Sequence, residues 1–286
     1  MRISLAYDRL LRGDDQVPLG IAQLHLATAK QIMRLHYKAG SEKFVTKRLM
    51  ELVRGGYLQC DAMAEQHRTG NRITYSARYY YTLAQKGKSY VGVAGKDREA
   101  VQRAVKRTSE HDIFIRHSLE VNDLLISAML IRRVAPAFWL EDFQSEHELK
   151  QHPYKIGRSE LAPDLYLNLQ TRDADGLLQR PMVLEHDRAT EDQYDFRGKV
   201  RKYLVFLRQE GYRQMFGVSR LTVVFTTFKG QEHAERLQRW TKAEVGSEPI
   251  GRLFYFAALQ PPLSPSLWLE PCWFTVEGGP HALLAM

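Results

Sequence analysis

Two short apolar runs, residues 164–170 and 182–187, flank the segment Asp173-Ala174-Asp175-Gly176. This arrangement constrains the fold more than any other feature, because apolar runs around an acidic Gly turn predict a β-hairpin. Two registers are open. Centring the turn between residues 174 and 175 opposes Asp164 to Glu185, and Leu165 to Leu184. Centring it on Asp175-Gly176 opposes Asp164 to Asp187. Strand side chains alternate, so in either register the acids share one face and the Leu and Met residues share the other. Directly opposed Cβ atoms lie ~4.5–5.5 Å apart. Like charges that close need a cation, a proton or a basic neighbour. A hard divalent ion such as Mg²⁺ or Mn²⁺ suits carboxylate oxygens. Spacing alone is served equally by solvated strand ends whose acids pair with Arg188 or Arg158.

Thr190-Glu191-Asp192-Gln193 after the hairpin has the form of a capping box, which predicts a helix over 191–209. Phe196, Val200, Tyr203 and Leu207 form its apolar stripe, and Lys199 borders that stripe. A lysine there reaches back toward the acids or toward a phosphate, or it snorkels along the packed face. Arg197, Arg201 and Arg208 fall on the far side. Tyr203, on the stripe, reads as structural. Tyr194 lies near the helix start, and the four tryptophans read as core.

The remaining elements follow the same logic. Residues 109–134 are expected to be mostly one helix and 138–149 a strand. A strand is expected over 221–227, a helix over 232–245 and a strand over 252–259. The Pro-rich 261–271 stretch and the tail that follows carry no clear pattern. This is a mixed α+β or α/β chain of 286 residues, long enough for two domains. No apolar run approaches the ~18 residues of a membrane span. The opening Met1-Arg2-Ile3-Ser4 leads into no long apolar core. Cys60 and Cys272 are far apart and unrelated in context, which fits a reducing cytoplasm rather than a disulfide framework.

Charge is unevenly distributed. Residues 1–93 hold 15 Lys and Arg against seven Asp and Glu, an excess of eight that equals the net charge of the whole chain. A basic field confined to one third of a chain is the expected footprint of phosphate contact. Within it, Thr28-Ala29-Lys30-Gln31 is a capping box opening a short helix. Ser41 is placed to cap a second helix, 42–54, ended by Gly55-Gly56, with Val45, Leu49, Leu52 and Val53 facing inward. Two strands around a basic loop at Arg68 and Gly70-Asn71-Arg72 follow, then a short helix.

Helix, turn, basic helix and basic hairpin resemble a winged helix-turn-helix. The second helix would offer Lys43, Lys47, Arg48 and Arg54 to the major groove, and the wing Arg68 and Arg72 to the backbone. A winged helix that binds protein is the alternative. The expected organisation is a winged-helix DNA-binding domain at 1–93, a linker or helix at 94–108, and a second domain at 109–286.

The order helix, strands, Pro163-Asp164, Glu185 and lysine resembles the PD-(D/E)XK, restriction-endonuclease-like fold. Where that pattern has Glu-x-Lys, this chain has Glu185-His186-Asp187. The string Glu185-x-Asp187-Arg188-x-Thr190, with Lys199 and Tyr203 after it, is similar to the replication-relaxation family. Those proteins join a winged helix to a nuclease-like domain and serve plasmids and other mobile elements. They are related to mobilisation relaxases of the same fold that nick a transfer origin. The resemblance implies that Asp164 and Glu185 are Mg²⁺ or Mn²⁺ ligands and that Asp187 is a further ligand or orienter. It also implies that Lys199 replaces the missing strand lysine. Double-stranded DNA at a plasmid or transfer origin would be the partner, with other mobilisation or replication proteins. His117 and Glu120 lie on the preceding helix, where this fold often supplies one more acid, but a helix-surface or packing role is the better reading of both. A non-catalytic DNA-binding regulator with a degenerate nuclease-like domain is the competing expectation, and Asp187 in place of lysine is its basis.

Overall fold

The computed structural model describes residues 16–69, 72–94, 112–173 and 176–284. The expected wing tip at Gly70-Asn71, most of the expected linker and the hairpin turn at Ala174-Asp175 lie outside them. The chain divides into two compact units, Met1–Asn122 and Asp123–Met286.

The first unit begins with three helices, α1 (Gln16–Leu24), α2 (Ala29–His36) and α3 (Glu42–Arg54). Helix α1 precedes the helices that the sequence pattern marks. The Thr28–Gln31 capping box forms as expected: the Gln31 N–H donates to the Thr28 hydroxyl, and the Gln31 side chain accepts from the Thr28 N–H at 3.0 Å. Ser41 precedes α3 but makes no side-chain cap, because its hydroxyl donates to the Lys38 carbonyl instead. Val45, Leu49 and Leu52 are buried along α3, as their helical spacing predicts.

A long antiparallel ribbon follows, β1 (Leu58–Thr69) against β2 (Arg72–Leu83), in register from Leu58↔Leu83 to Thr69↔Arg72. Helix α4 (Gln85–Ala94) closes the motif. Three helices, a two-stranded wing and a helix make up the winged helix-turn-helix expected from the sequence. Helix α5 (Asp112–Met129) runs through the division between the units. Its first half belongs to unit one: Ile115 and Leu119 join Leu26 and Met63 in a small core. The Asn122 amide donates to the carbonyls of Leu24 and Leu26.

The second unit is built on a seven-stranded mixed sheet. Its strands are β3 (Phe138–Ser145), β6 (Leu165–Asp173), β7 (Gly176–Asp187), β8 (Thr222–Thr227), β9 (Phe254–Ala258), β10 (Trp273–Thr275) and β11 (Gly278–His281). They lie side by side in that order; β3, β6 and β7 are antiparallel, whereas β7, β8 and β9 are parallel. The expected strand over 138–149 ends at Ser145. There a second capping box, Ser145 with Glu148, starts the short helix α6 (Glu146–Leu149). A small hairpin, β4 (Tyr154–Ile156) and β5 (Ser159–Leu161), precedes β6. The unpatterned tail folds as strands β10 and β11, with β11 at the sheet edge.

Helix α7 (Gln193–Arg208) connects β7 to α8 (Gly211–Phe216), and α9 (Gln231–Val245) connects β8 toward β9. Asp192, not Thr190, caps α7, accepting from the Asp195 N–H at 2.9 Å. Phe196, Val200, Tyr203 and Leu207 are all buried, and they pack with Val183, Phe225 and Phe256 of the sheet and Leu237 of α9 in the main core. The opposite strand positions, Leu165, Leu167, Leu169, Met182 and Leu184, are buried too. Sheet residues covered on both faces explain why the β7 and β8 runs are so apolar. Trp268 and Trp273 are fully buried and stacked, and the Trp268 indole donates to the Ser127 hydroxyl. Trp139 and Trp240 are only half-buried. Gly211 is required where α8 starts, because a Cβ there would lie 2.5 Å from the rings of Phe206 and Tyr154.

Candidate active site

The hairpin register decides which acids meet. Leu165 pairs with Leu184, Tyr166 with Val183 and Leu167 with Met182, the first of the two registers open to the sequence. Asp164 sits just before β6 and straddles Glu185. Its N–H donates to the Leu184 carbonyl at 3.1 Å, and its carboxylate accepts from the His186 N–H at 2.8 Å. Pro163-Asp164 is therefore fixed by backbone groups of β7 on either side of Glu185.

Glu185 points toward α7 and is 4% exposed. The Tyr203 hydroxyl donates to one of its oxygens in a short hydrogen bond, and Lys199 Nζ lies 3.0 Å from the other. Lys199 also donates to Glu191 at 2.7 Å. Lys199 and Tyr203 are four residues apart, one helical turn, so both reach the same carboxylate. The turn Asp187–Asp192 releases Glu191 from the helix it was expected to join and returns it to Lys199.

Burial pushes the Glu185 carboxyl up to about 7; Lys199 pulls it down, Asp164 raises it further and Tyr203 pulls it down. For Lys199, burial acts downward but Glu185, Asp164 and Glu191 outweigh it, so the ammonium is held well above its ordinary value. Burial and the adjacent Glu185 likewise raise the Tyr203 phenol, which stays a donor. Lys199 is charged throughout the accessible pH range, whereas Glu185 exchanges its proton near neutrality.

Asp187 shares the Glu185 face of β7 but has different partners. It accepts from the Ala189 N–H and lies 2.7 Å from His233 Nε2 of α9, with both side chains buried. His186 turns to the other face, where Nδ1 lies 3.0 Å from the Thr226 hydroxyl. Glu146 of α6 brings a carboxylate oxygen within 4.8 Å of one from Asp164. The structure thus gathers Asp164, Glu185 and Lys199, gives Asp187 to His233, and adds Tyr203, Glu191 and Glu146, which the sequence reading did not place there. The Ser145-x-x-Glu148 box was the signal for Glu146, since it marks a helix start where a strand was expected to continue. Tyr203 was legible only as an apolar stripe position.

Asp164 and Glu146 bring carboxylate oxygens within 4.8 Å of each other, and Glu185 beside Asp164 has its two oxygens on Tyr203 and Lys199. Glu185, proton-loving when alone, is the kind of ligand a hard cation holds ionised. Carboxylate oxygens such as those of Asp164 and Glu146 are of the kind a hard divalent ion takes.

In the first unit, Lys43, Lys47 and Arg54 are exposed along α3, while Arg48 is half-buried and ion-paired with Glu51. Arg68 and Arg72 lie next to the wing tip, Arg68 opposite Ile73 and Arg72 opposite Thr69. His117 and Glu120 are half-buried on α5, within the first unit. Among the described residues, no helix is long and apolar enough to cross a membrane.

A winged helix-turn-helix followed by a seven-stranded mixed-sheet unit, with Asp164 and Glu185 together at the open end of the β6–β7 hairpin, defines the class of protein. The model of the replication-relaxation family matches residues 20–220, well over half of the chain. The chain belongs to that family. No curated relative matches it in sequence. Among solved structures, EndoMS in its apo form is similar at 14% identity over 71% of this chain and 66% of its own length, slightly under two thirds, with a TM-score of 0.23. A likeness that loose says nothing about chemistry.

Proposed function

We propose that this protein is a DNA-binding, metal-dependent nicking endonuclease acting in replication or mobilisation of a plasmid or other mobile element. The observation that carries the reading is the convergence of Asp164 and Glu185 at one hairpin mouth, with Lys199 bonded to Glu185. Mg²⁺ or Mn²⁺ would be held by Asp164 and Glu185, with Glu146 within reach. A bound ion of this kind supplies an activated water and counters charge developing on a phosphodiester.

The chain's own residues have separate tasks. Asp164 is positioned by the His186 N–H, so its carboxylate needs no reorganisation. Tyr203 holds one Glu185 oxygen and fixes the rotamer of that carboxylate. Lys199, kept charged by three acids, stabilises negative charge on the scissile phosphate. Asp187, bound to His233 and the Ala189 N–H, orients the chain between β7 and α7 and thereby Glu191 and Lys199. Residues 1–93 act as the DNA-reading domain: Lys43, Lys47 and Arg54 of α3 meet the major groove, Arg48 lies at its edge, and Arg68 and Arg72 lie along the backbone. The substrate is duplex DNA at a plasmid or transfer origin, in the cytoplasm, alongside other replication or mobilisation proteins.

A supercoiled plasmid carrying the cognate origin, incubated with Mg²⁺ or Mn²⁺, tests this. The wild type is expected to convert it to the open circle, and Glu185→Ala to bind without converting it. Intact binding with no relaxation under either metal would overturn the nickase reading. It would favour a non-catalytic DNA-binding regulator, which the engagement of Asp187 with His233 supports.

A further inference from the structure

The flank of α7 away from Lys199 carries an open depression of about 380 Å³, lined by Gln193, Tyr194, Arg197 and Arg201. Tyr194, Arg197 and Arg201 are spaced i, i+3 and i+7, so they fall within a sector of roughly 60° on the helix. On the same helical wheel Lys199 lies roughly 140° from Tyr194. The two flanks of α7 therefore face in different directions.

Tyr194 is 78% exposed. The core contact at this level of α7 is made by Phe196, whose ring packs on Trp240 and Phe225. The Tyr194 ring is thus surplus to packing. Arg197 Nε and Arg201 Nη1 both donate to a single carboxylate oxygen, Glu244 Oε1 of α9, Arg201 at 3.2 Å. Glu244 is nearly buried, whereas the two guanidiniums remain substantially exposed. One carboxylate against two guanidiniums leaves a net positive charge. A guanidinium has five N–H groups, so each keeps donors beyond the one given to Glu244. Both forks are also held in place before any ligand arrives, which lowers the entropy lost on binding.

Paired, pre-positioned guanidiniums match the oxygens of a phosphodiester. An exposed aromatic ring beside them is a platform for a base. In a duplex each base is already stacked on its neighbours, so the ring selects an unpaired base.

We infer that Tyr194, Arg197 and Arg201 form a subsite for single-stranded DNA, the phosphate on the arginines and the base on Tyr194. The inference rests on the DNA-processing reading for why an unpaired strand is present, but the subsite itself needs no divalent ion.

The test uses the full chain in EDTA, with fluorescence anisotropy of a labelled oligothymidylate and a short labelled duplex. Tyr194→Ala is expected to weaken oligothymidylate binding about tenfold, within the range for losing one stacked base. Tyr194→Phe retains it. Arg201→Gln weakens it comparably, whereas Arg208→Gln, the same charge change in a pair with Glu248, does not. Duplex affinity stays unchanged in Tyr194→Ala. An iodouracil-substituted oligonucleotide is expected to photocross-link to Tyr194, read by mass spectrometry. Wild-type oligothymidylate affinity in Tyr194→Ala, with cross-links elsewhere, would overturn the inference and leave the arginines as a brace between α7 and α9. Equal loss of duplex and single-strand binding would also overturn it. Failure of nicking with these effects intact would sink the nuclease reading alone.

Discussion

Glu185 is central to the proposed chemistry, and its surroundings make opposite demands. Burial and Asp164 favour its proton, while Lys199 and Tyr203 favour its charge, and the balance lies at about 7. The folded value exceeds the unfolded value of 4.5, so the native state binds more protons between the two. The contribution of this carboxyl to stability is therefore fully present below pH 4.5 and declines as pH rises toward 7. Glu185→Gln, a mimic of the protonated acid, removes that dependence. Thermal melts of both proteins in EDTA are expected to show the stability difference moving in favour of the variant from pH 4.5 to 7 and holding steady above. A difference constant across that range would contradict the assignment. Tyr203→Phe keeps the ring in the core and deletes only the donor to Glu185. A buried acceptor left unmet costs about 1–3 kcal/mol, measurable by urea unfolding. The same change is expected to lower nicking while leaving DNA affinity unchanged.

At the scale of elements, what could be read in the sequence was what local pattern dictates. The hairpin at Asp164–Asp187 was legible because apolar alternation and an Asp-Gly turn act over short range. The α3 helix, Glu42–Arg54, has the predicted ends because Gly55-Gly56 stops it. The choice between two registers was not local: it depends on packing Leu165 on Leu184 and on Tyr203 reaching Glu185 from another element. The strands β10 and β11 were unreadable because three- and four-residue strands exist only against their neighbours, β10 on β9 and β11 on β10. Thr190 lost the cap position to Asp192, which moved the start of α7 and freed Glu191 for Lys199. Helix α6 was missed although its capping box was in plain view. Ser145→Ala tests its importance. Losing an N-cap costs about 1 kcal/mol, and because Glu146 is the first residue of α6, nicking at limiting Mn²⁺ is expected to fall more than stability does. A variant with unchanged metal requirement would separate Glu146 from the site.

At the scale of the whole molecule, basic charge and carboxylate chemistry are segregated along the chain. The excess of eight positive charges lies within residues 1–93, while the remainder is balanced. DNA affinity is therefore expected to fall steeply with salt, linearly in log–log form. Lys43→Ala and Lys47→Ala are each expected to make that slope shallower by about one ion; an unchanged slope in both would move the DNA surface elsewhere. Nicking variants such as Glu185→Ala leave the slope intact, because the acids take no part in phosphate attraction. Asp164 and Glu185 are proposed to share a divalent ion. Crystals soaked in Mn²⁺ and measured for anomalous scattering test it most directly. A peak beside the two carboxylates that vanishes in Glu185→Ala is expected. A wild-type crystal with no peak at that position, at a Mn²⁺ concentration that supports nicking, would contradict it.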